Sequence, residues 1–225
     1  MSRVPDLQES TAVTAAAQPV SIFVLPDGSG DPLSDANIFG GAAADATITL
    51  TLLDVVGQPI ADYPAEDMWL ETDMGGLQFC EGNGIADANT DANGMTTFSG
   101  PFRGGGHSDL DGGEKLFVMV AGDALTSNSG LQIFFNSADI NGDLRVDAAD
   151  WEVFSSDVYG SYNYRSDFNW DGVVNIIDIG LFQGGLGASC ESGVSGVSAP
   201  QVPRKCILYA SYPNPFNPQT TIAFE

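Results

Sequence analysis

Two twelve-residue stretches of this sequence carry oxygen-bearing side chains at matching places. The first holds Asp139, Asn141, Asp143, Asp147 and Asp150, and the second holds Asp167, Asn169, Asp171, Asn175 and Asp178. In both, these residues fall at positions 1, 3, 5, 9 and 12 of the stretch. Position 7, Arg145 in the first and Val173 in the second, would add a backbone carbonyl. Many hard oxygen donors wound tightly around one point are what a calcium ion requires. The chemistry implied is the binding of two Ca2+ ions, one per stretch.

The spacing is that of an EF-hand calcium loop. Such a loop bends sharply at position 6, which is Gly172 in the second stretch but Leu144 in the first. The first loop is therefore expected to be strained and the weaker of the two. Each loop must be held by the residues after it, and these repeat as well. Trp151, Phe154 and Val158 come after the first loop at the spacing of Ile179, Phe182 and Leu186 after the second. This places three apolar groups on one stripe of a helix. Val146 and Val174 share position 8, where an apolar side chain is expected to pin two paired loops together. Loop-then-helix thus recurs with a period of 28 residues, from 139 to 167.

These residues resemble a dockerin, a calcium-binding module of two loop-helix halves, over about 50 of the 225 residues (137–187). The Asp at position 12, in place of the Glu of ordinary EF-hands, suits that resemblance. A dockerin implies a cohesin-like partner, recognised largely through positions 10 and 11. Here those pairs are Ala148-Ala149 and Ile176-Ile177, which are apolar and differ from each other, an argument against the usual two-way docking.

Composition bounds the rest. Thirty acidic residues against seven Lys and Arg leave a net charge of −23. That balance argues against nucleic acid and anionic membranes as partners. No apolar run is long enough for membrane insertion. The acidity suits a salty, calcium-containing medium, so the expected location is extracellular or the cell surface. Met1 to Gln18 lacks the features of a signal peptide, so the chain is read as processed or partial, or exported by a signal elsewhere. Cys80, Cys190 and Cys206 fit no zinc or redox spacing. They imply one disulfide and one free or intermolecular thiol, with the pairing left open, although Cys190 could staple the calcium module to the preceding domain.

The expected fold is mainly β: an antiparallel Ig-like β-sandwich followed by a small α-helical dockerin-like module. Strands are predicted at 21–25, 46–52, 68–72, 77–80, 95–99, 115–120 and 131–135, separated by turn signals such as Asp91-Ala-Asn-Gly94, Gly104-Gly-Gly106 and Asp111-Gly-Gly113. The phrases Thr47 to Ile60, with its Gly57-Gln-Pro59 turn, and Thr90 to Phe98 resemble invasin-type bacterial Ig-like domains, which implies a non-catalytic spacer or adhesive module. Tyr212-Pro-Asn-Pro-Phe-Asn-Pro218 resembles the opening of a type IX secretion C-terminal sorting domain, which implies surface export. The expected segments are an extended N-terminal segment (1–20), the Ig-like sandwich (21–137), the dockerin-like module (138–188), a linker (189–207) and an incomplete sorting-domain-like strand (208–225). Strand-like Thr11 to Val20 and Thr220 to Glu225 have no evident sheet, and strand addition between subunits is one use for them.

No catalysis is predicted. The one histidine, His107, adjoins Ser108 and Asp109, but sequence neighbours do not make a triad. Trp69, Phe79 and Phe134 read as core rather than as a sugar platform. The favoured function is a secreted, calcium-stabilised structural subunit of an extracellular filament or surface assembly that self-associates through terminal strands. The alternatives are a docking module for a cohesin-like protein and a carbohydrate-binding component of a polysaccharide-degrading complex.

Overall fold

A computed structural model describes residues 4–127, 129–193, 212–217 and 219–221. The chain is mainly β with two helices. Its strands are β1 (Thr11–Thr14), β2 (Val20–Val24), β3 (Ala36–Ile38), β4 (Ala42–Ala44), β5 (Ile48–Thr51), β6 (Met68–Thr72), β7 (Leu77–Phe79), β8 (Met95–Phe98), β9 (Gly104–Gly106), β10 (Leu116–Val120), β11 (Asp123–Ala124) and β12 (Ile133–Ser137). The helices are α1 (Ala148–Val158) and α2 (Ile176–Gly185). Residues up to Gly193 form one compact unit. Among the described residues no helix is long and apolar enough to cross a membrane.

Alternation explains most of the strands. Ile48 and Leu50 of β5, and Leu116, Val118 and Val120 of β10, turn inward while their neighbours are partly exposed. The sheets β1-β5-β8, β11-β10-β6 and β12-β2-β3-β4, together with Leu77 of the β7-β9 pair, feed one apolar cluster. Pairing is antiparallel except between β2 and β12, which run parallel with Ile22 opposite Phe135. That departs from the antiparallel expectation. The two strands lie far apart in sequence, so a long crossover can return the chain in the same direction.

Three further expectations are revised. Thr11–Thr14, placed in the extended N-terminal segment, pairs along its length with β5, Thr11 opposite Thr51. Gly104–Gly106, read as a turn, is a buried strand paired with β7, because residues without side chains can lie where others cannot. The short strands β3 and β4, the latter at the sheet edge, are additions to the predicted set, since three residues each, with Ala-Ala-Ala in β4, carry little strand signal.

β2 is buried on both faces. Val20, Ile22 and Val24 enter the sheet cluster, whereas Phe23, together with Leu25 just beyond the strand, joins a second cluster with Ile140, Val146, Phe154, Phe168 and Phe182. Aromatic rings carry this second core from sheet to helices. Phe23 meets Phe168 at 5.1 Å, Phe168 stacks on Phe154 at 5.4 Å, and Phe154 stacks on Phe182 at 4.9 Å. Each such side chain, fully buried, contributes roughly 1.5–3 kcal/mol. The helical segment is therefore seated on the β-structure.

Beyond this unit, β13 (Tyr212–Asn217) and β14 (Gln219–Thr221) pair as an antiparallel hairpin. Part of the tail expected to lack a sheet thus has a local partner, and residues 222–225 lie outside the described residues. So do Cys206 and most of the expected 189–207 linker.

Candidate metal centre

Both loops end in a capping box. Asp147 accepts from the backbone N–H of Ala149 at 2.7 Å while Asp150 returns a bond to the Asp147 N–H at 2.9 Å. Asn175 and Asp178 repeat this at the start of α2, at 2.8 Å each. Positions 9 and 12 therefore anchor helices as well as facing the loop, a local arrangement that needs no tertiary partner.

The carboxylates at positions 1 and 12 are the buried ones. Asp139, Asp150, Asp167 and Asp178 are all fully inaccessible. Asp139 accepts from the N–H groups of Gly142, Asp143 and Leu144, and Asp167 from those of Asp171 and Gly172. Asp150 also accepts from Asn141 N–H, and Asp178 from Phe168 N–H, which closes each loop on its own start. Position 5 accepts from position 7 in both loops, Asp143 from Arg145 N–H and Asp171 from Val173 N–H.

In the second loop the remaining positions converge. The amide nitrogens of Asn169 and Asn175 reach Asp171 Oδ2 at 3.1 and 3.3 Å, and that of Asn175 lies 3.2 Å from the Val173 carbonyl. Their oxygens are turned the other way, that of Asn169 accepting from the Asp171 N–H at 3.3 Å and that of Asn175 from the Ile177 N–H. In the first loop Asn141 Nδ2 reaches Asp143 Oδ2 at 3.2 Å. Among the described residues no group of three or more His, Cys, Asp and Glu side chains gathers at metal-holding separation. Each loop brings its carboxylates together with asparagine side chains, and the second loop adds the Val173 carbonyl.

Burial also shifts the protonation of these acids. Desolvation, then Asp150 and Asp143, push the Asp139 carboxyl up to about 7. Asp150, Asp167 and Asp178 are also raised, desolvation first and neighbouring acids adding to it, despite the N–H groups that pull them down. Among the described residues neither Lys nor Arg pairs with any of the four. Arg145 instead lies 3.7 Å from Glu191 at the surface. Asp157, outside the loops, shows the contrast, since Arg165 grips it with two bonds of 2.7 and 3.0 Å.

Both loops also need left-handed backbone at positions 4 and 6. Gly142 and Leu144 have φ of 72° and 68°, and Trp170 and Gly172 have φ of 51° and 92°. Each loop thus carries one glycine and one bulky residue across these two places. The position-8 side chains, buried Val146 and half-buried Val174, belong to the same apolar cluster, while the Val146 backbone pairs with the chain after α2, its N–H donating to Ala188 O at 3.0 Å and its carbonyl accepting from the Gly187 N–H at 2.9 Å. Of the helical stripes, Phe154 and Phe182 are buried, while Trp151 and Leu186 are about half exposed.

Sequence reasoning missed three supports of the loops. The Tyr162 hydroxyl donates to Asp167 Oδ2 at 2.9 Å. The buried Asn136 donates to the Asp167 carbonyl at 2.6 Å. Gly105 lies so close to the Asp139 carboxylate that any side chain there would collide with it. Asn136 and Gly105 have no local signal because they act across the fold, whereas Tyr162 lies five residues before Asp167.

The disulfide joins Cys80, just after β7, to Cys190, beyond α2. Arg103 reinforces that junction by donating to the carbonyls of Pro26 and Cys190. The triad-like neighbours are engaged elsewhere: His107 Nδ1 with the Ile140 carbonyl at 3.1 Å, Ser108 Oγ with the Phe135 N–H at 2.9 Å, and Asp109 with the Gly112 N–H at 2.8 Å. Burial holds the His107 pKa below its usual value. Comparison with protein-family models, curated proteins and solved structures found no match.

Proposed function

We propose that this chain is a non-catalytic, secreted calcium-binding structural protein that serves as a subunit of an extracellular filament or surface assembly. In this reading the β-structure is an Ig-like sandwich and the paired loops are a dockerin-like module bearing two Ca2+ ions. The observation that carries it is the set of four buried loop aspartates with backbone donors but no cationic side chain. Burying a carboxylate without a cation is costly, and a divalent ion offsets it. The ions would be held by Asp139, Asn141, Asp143, the Arg145 carbonyl, Asp147 and Asp150, and by Asp167, Asn169, Asp171, the Val173 carbonyl, Asn175 and Asp178. They supply charge neutralisation and cross-linking of each loop. A disulfide suits the oxidising environment outside the cell.

Calorimetric titration tests the reading, with two ions bound per chain as the expected result. Saturation at about a hundred times Kd would add roughly 2.7 kcal/mol of stability per site. Light scattering should also show particles that grow with protein concentration and shrink on chelation. Heat-neutral titration with an unchanged melting temperature would end the calcium reading. A monomer under every condition would end the assembly reading alone.

A second reading has its own support. Ile176 and Ile177 are exposed at positions 10 and 11 of the second loop, and an apolar groove of about 400 Å³ is lined by Ala148, Trp151, Ile179, Phe182 and Leu186 of the two loop-helix halves. A cohesin-like protein would seat there. Saturable one-to-one binding, lost in Ile177→Asp, would favour docking over self-assembly.

A further inference from the structure

We propose that a second site, beside the second loop, binds an organic ammonium group. It is an open cavity of about 410 Å³ that none of the proposed calcium ligands lines, although Trp170 of the second loop and Tyr162, which donates to Asp167, do. Its aromatic wall comes from three places in the chain. Phe39, in the turn between β3 and β4, is 66% exposed, and Tyr162, ahead of the second loop, is 50% exposed. Trp170 meets Phe39 edge-on at 5.8 Å and Tyr164 at 6.2 Å, which fixes the ring at the back of the cavity.

Acidic residues line the cavity too. Asp109 and Asp111, exposed residues of the loop between β9 and β10, line the cavity. Its guanidinium, Arg165, is held in two bonds by the buried Asp157, so it does not compensate them. Aromatic faces carry negative potential and attract a cation, more strongly where water is partly excluded. Two carboxylates sharing a cavity with such rings favour an ammonium over a neutral or anionic guest. A bare metal ion is disfavoured, because rings offer it no oxygen. The ammonium can come from a free amine or from a lysine side chain, since the recognised chemistry is shared.

The test is an NMR titration of the folded chain with n-butylammonium, Nα-acetyl-lysine methylamide and 1-butanol, read at the tryptophan indole N–H groups. The expected result is saturable movement of the Trp170 signal with both amines, while Trp69 and Trp151 stay still. Butanol should bind at least about tenfold more weakly. Phe39→Ala, and separately Asp109→Asn with Asp111→Asn, should each weaken amine binding about three- to tenfold with unchanged circular dichroism. All three positions are exposed, so folding should survive. A lysine-containing peptide that outcompetes n-butylammonium would assign the source to a protein partner, and equal binding would assign it to free amines. Equal binding of butanol, wild-type affinity in both variants, or a response to cellobiose without one to amines would overturn the proposal.

Discussion

Leu144 and Gly172 stand at the same position of their loops and share left-handed backbone, with φ of 68° and 92°. Only the glycine adopts it without steric cost, which is roughly 1–2 kcal/mol for an ordinary residue. Gly172→Ala should therefore lose about 1 kcal/mol, and its added carbon would also meet the Phe39 ring. Leu144→Gly relieves similar strain but frees the unfolded chain by about 0.5–1 kcal/mol, so its net change should be small. Chemical denaturation of both variants checks this asymmetry. Equal losses would mean that position 6 is not where the loops differ.

Gly105 and Asp139 give a sharper prediction. A methyl group at residue 105 would occupy the space of the Asp139 carboxylate. Gly105→Ala should displace that carboxylate and cost about 1–3 kcal/mol, as overpacking does. Calcium stoichiometry should fall from two to one while the second loop still binds. Retention of both ions would show that Asp139 is not a ligand.

Buried Asp157 and half-buried Arg165 set a pH dependence. Burial alone would raise the Asp157 pKa, but bonds from Arg165 and Ser166 outweigh it and hold the carboxyl below its ordinary value. A carboxyl lowered by folding contributes stability above its unfolded pKa of about 4. That contribution is lost as pH falls through the lower folded value. Asp157→Asn should cost about 2 kcal/mol at about pH 6, with the gap from wild type closing below about pH 4. A gap that stays constant into acid would assign the loss to shape rather than charge.

The Cys80–Cys190 bridge spans 110 residues of sequence. Replacing both cysteines with alanine should lower stability by about 2–4 kcal/mol, mainly by freeing the unfolded chain. Hydrogen exchange should rise most over residues 186–193, where the bridge and Arg103 tie down the chain after α2. A uniform rise across β10 as well would mean that the bridge acts only through the unfolded state.

Much of the candidate site was legible because its determinants are local. Twelve contiguous residues place the oxygens, and Asp147 with Asp150, like Asn175 with Asp178, starts each helix by capping within three residues. The strand predicted at Met68–Thr72 matches β6 to the residue. Left-handed Trp170 was hidden, because no rule reads strain from a tryptophan whose ring is held by Phe39, Tyr164 and Phe134.

By itself the sequence determined the loops, their helices and most strands, since these depend on neighbours within a few residues. Tertiary structure alone decided that β2 feeds two cores, with Ile22 on one side and Phe23 on the other. It also decided that Thr11–Thr14 closes against β5, that Gly104–Gly106 slides beneath Asp139, and that Cys80 finds Cys190. Each of these pairs residues distant along the chain. Their choice rests on volume, burial and closest approach, which a linear pattern of polar and apolar residues does not encode.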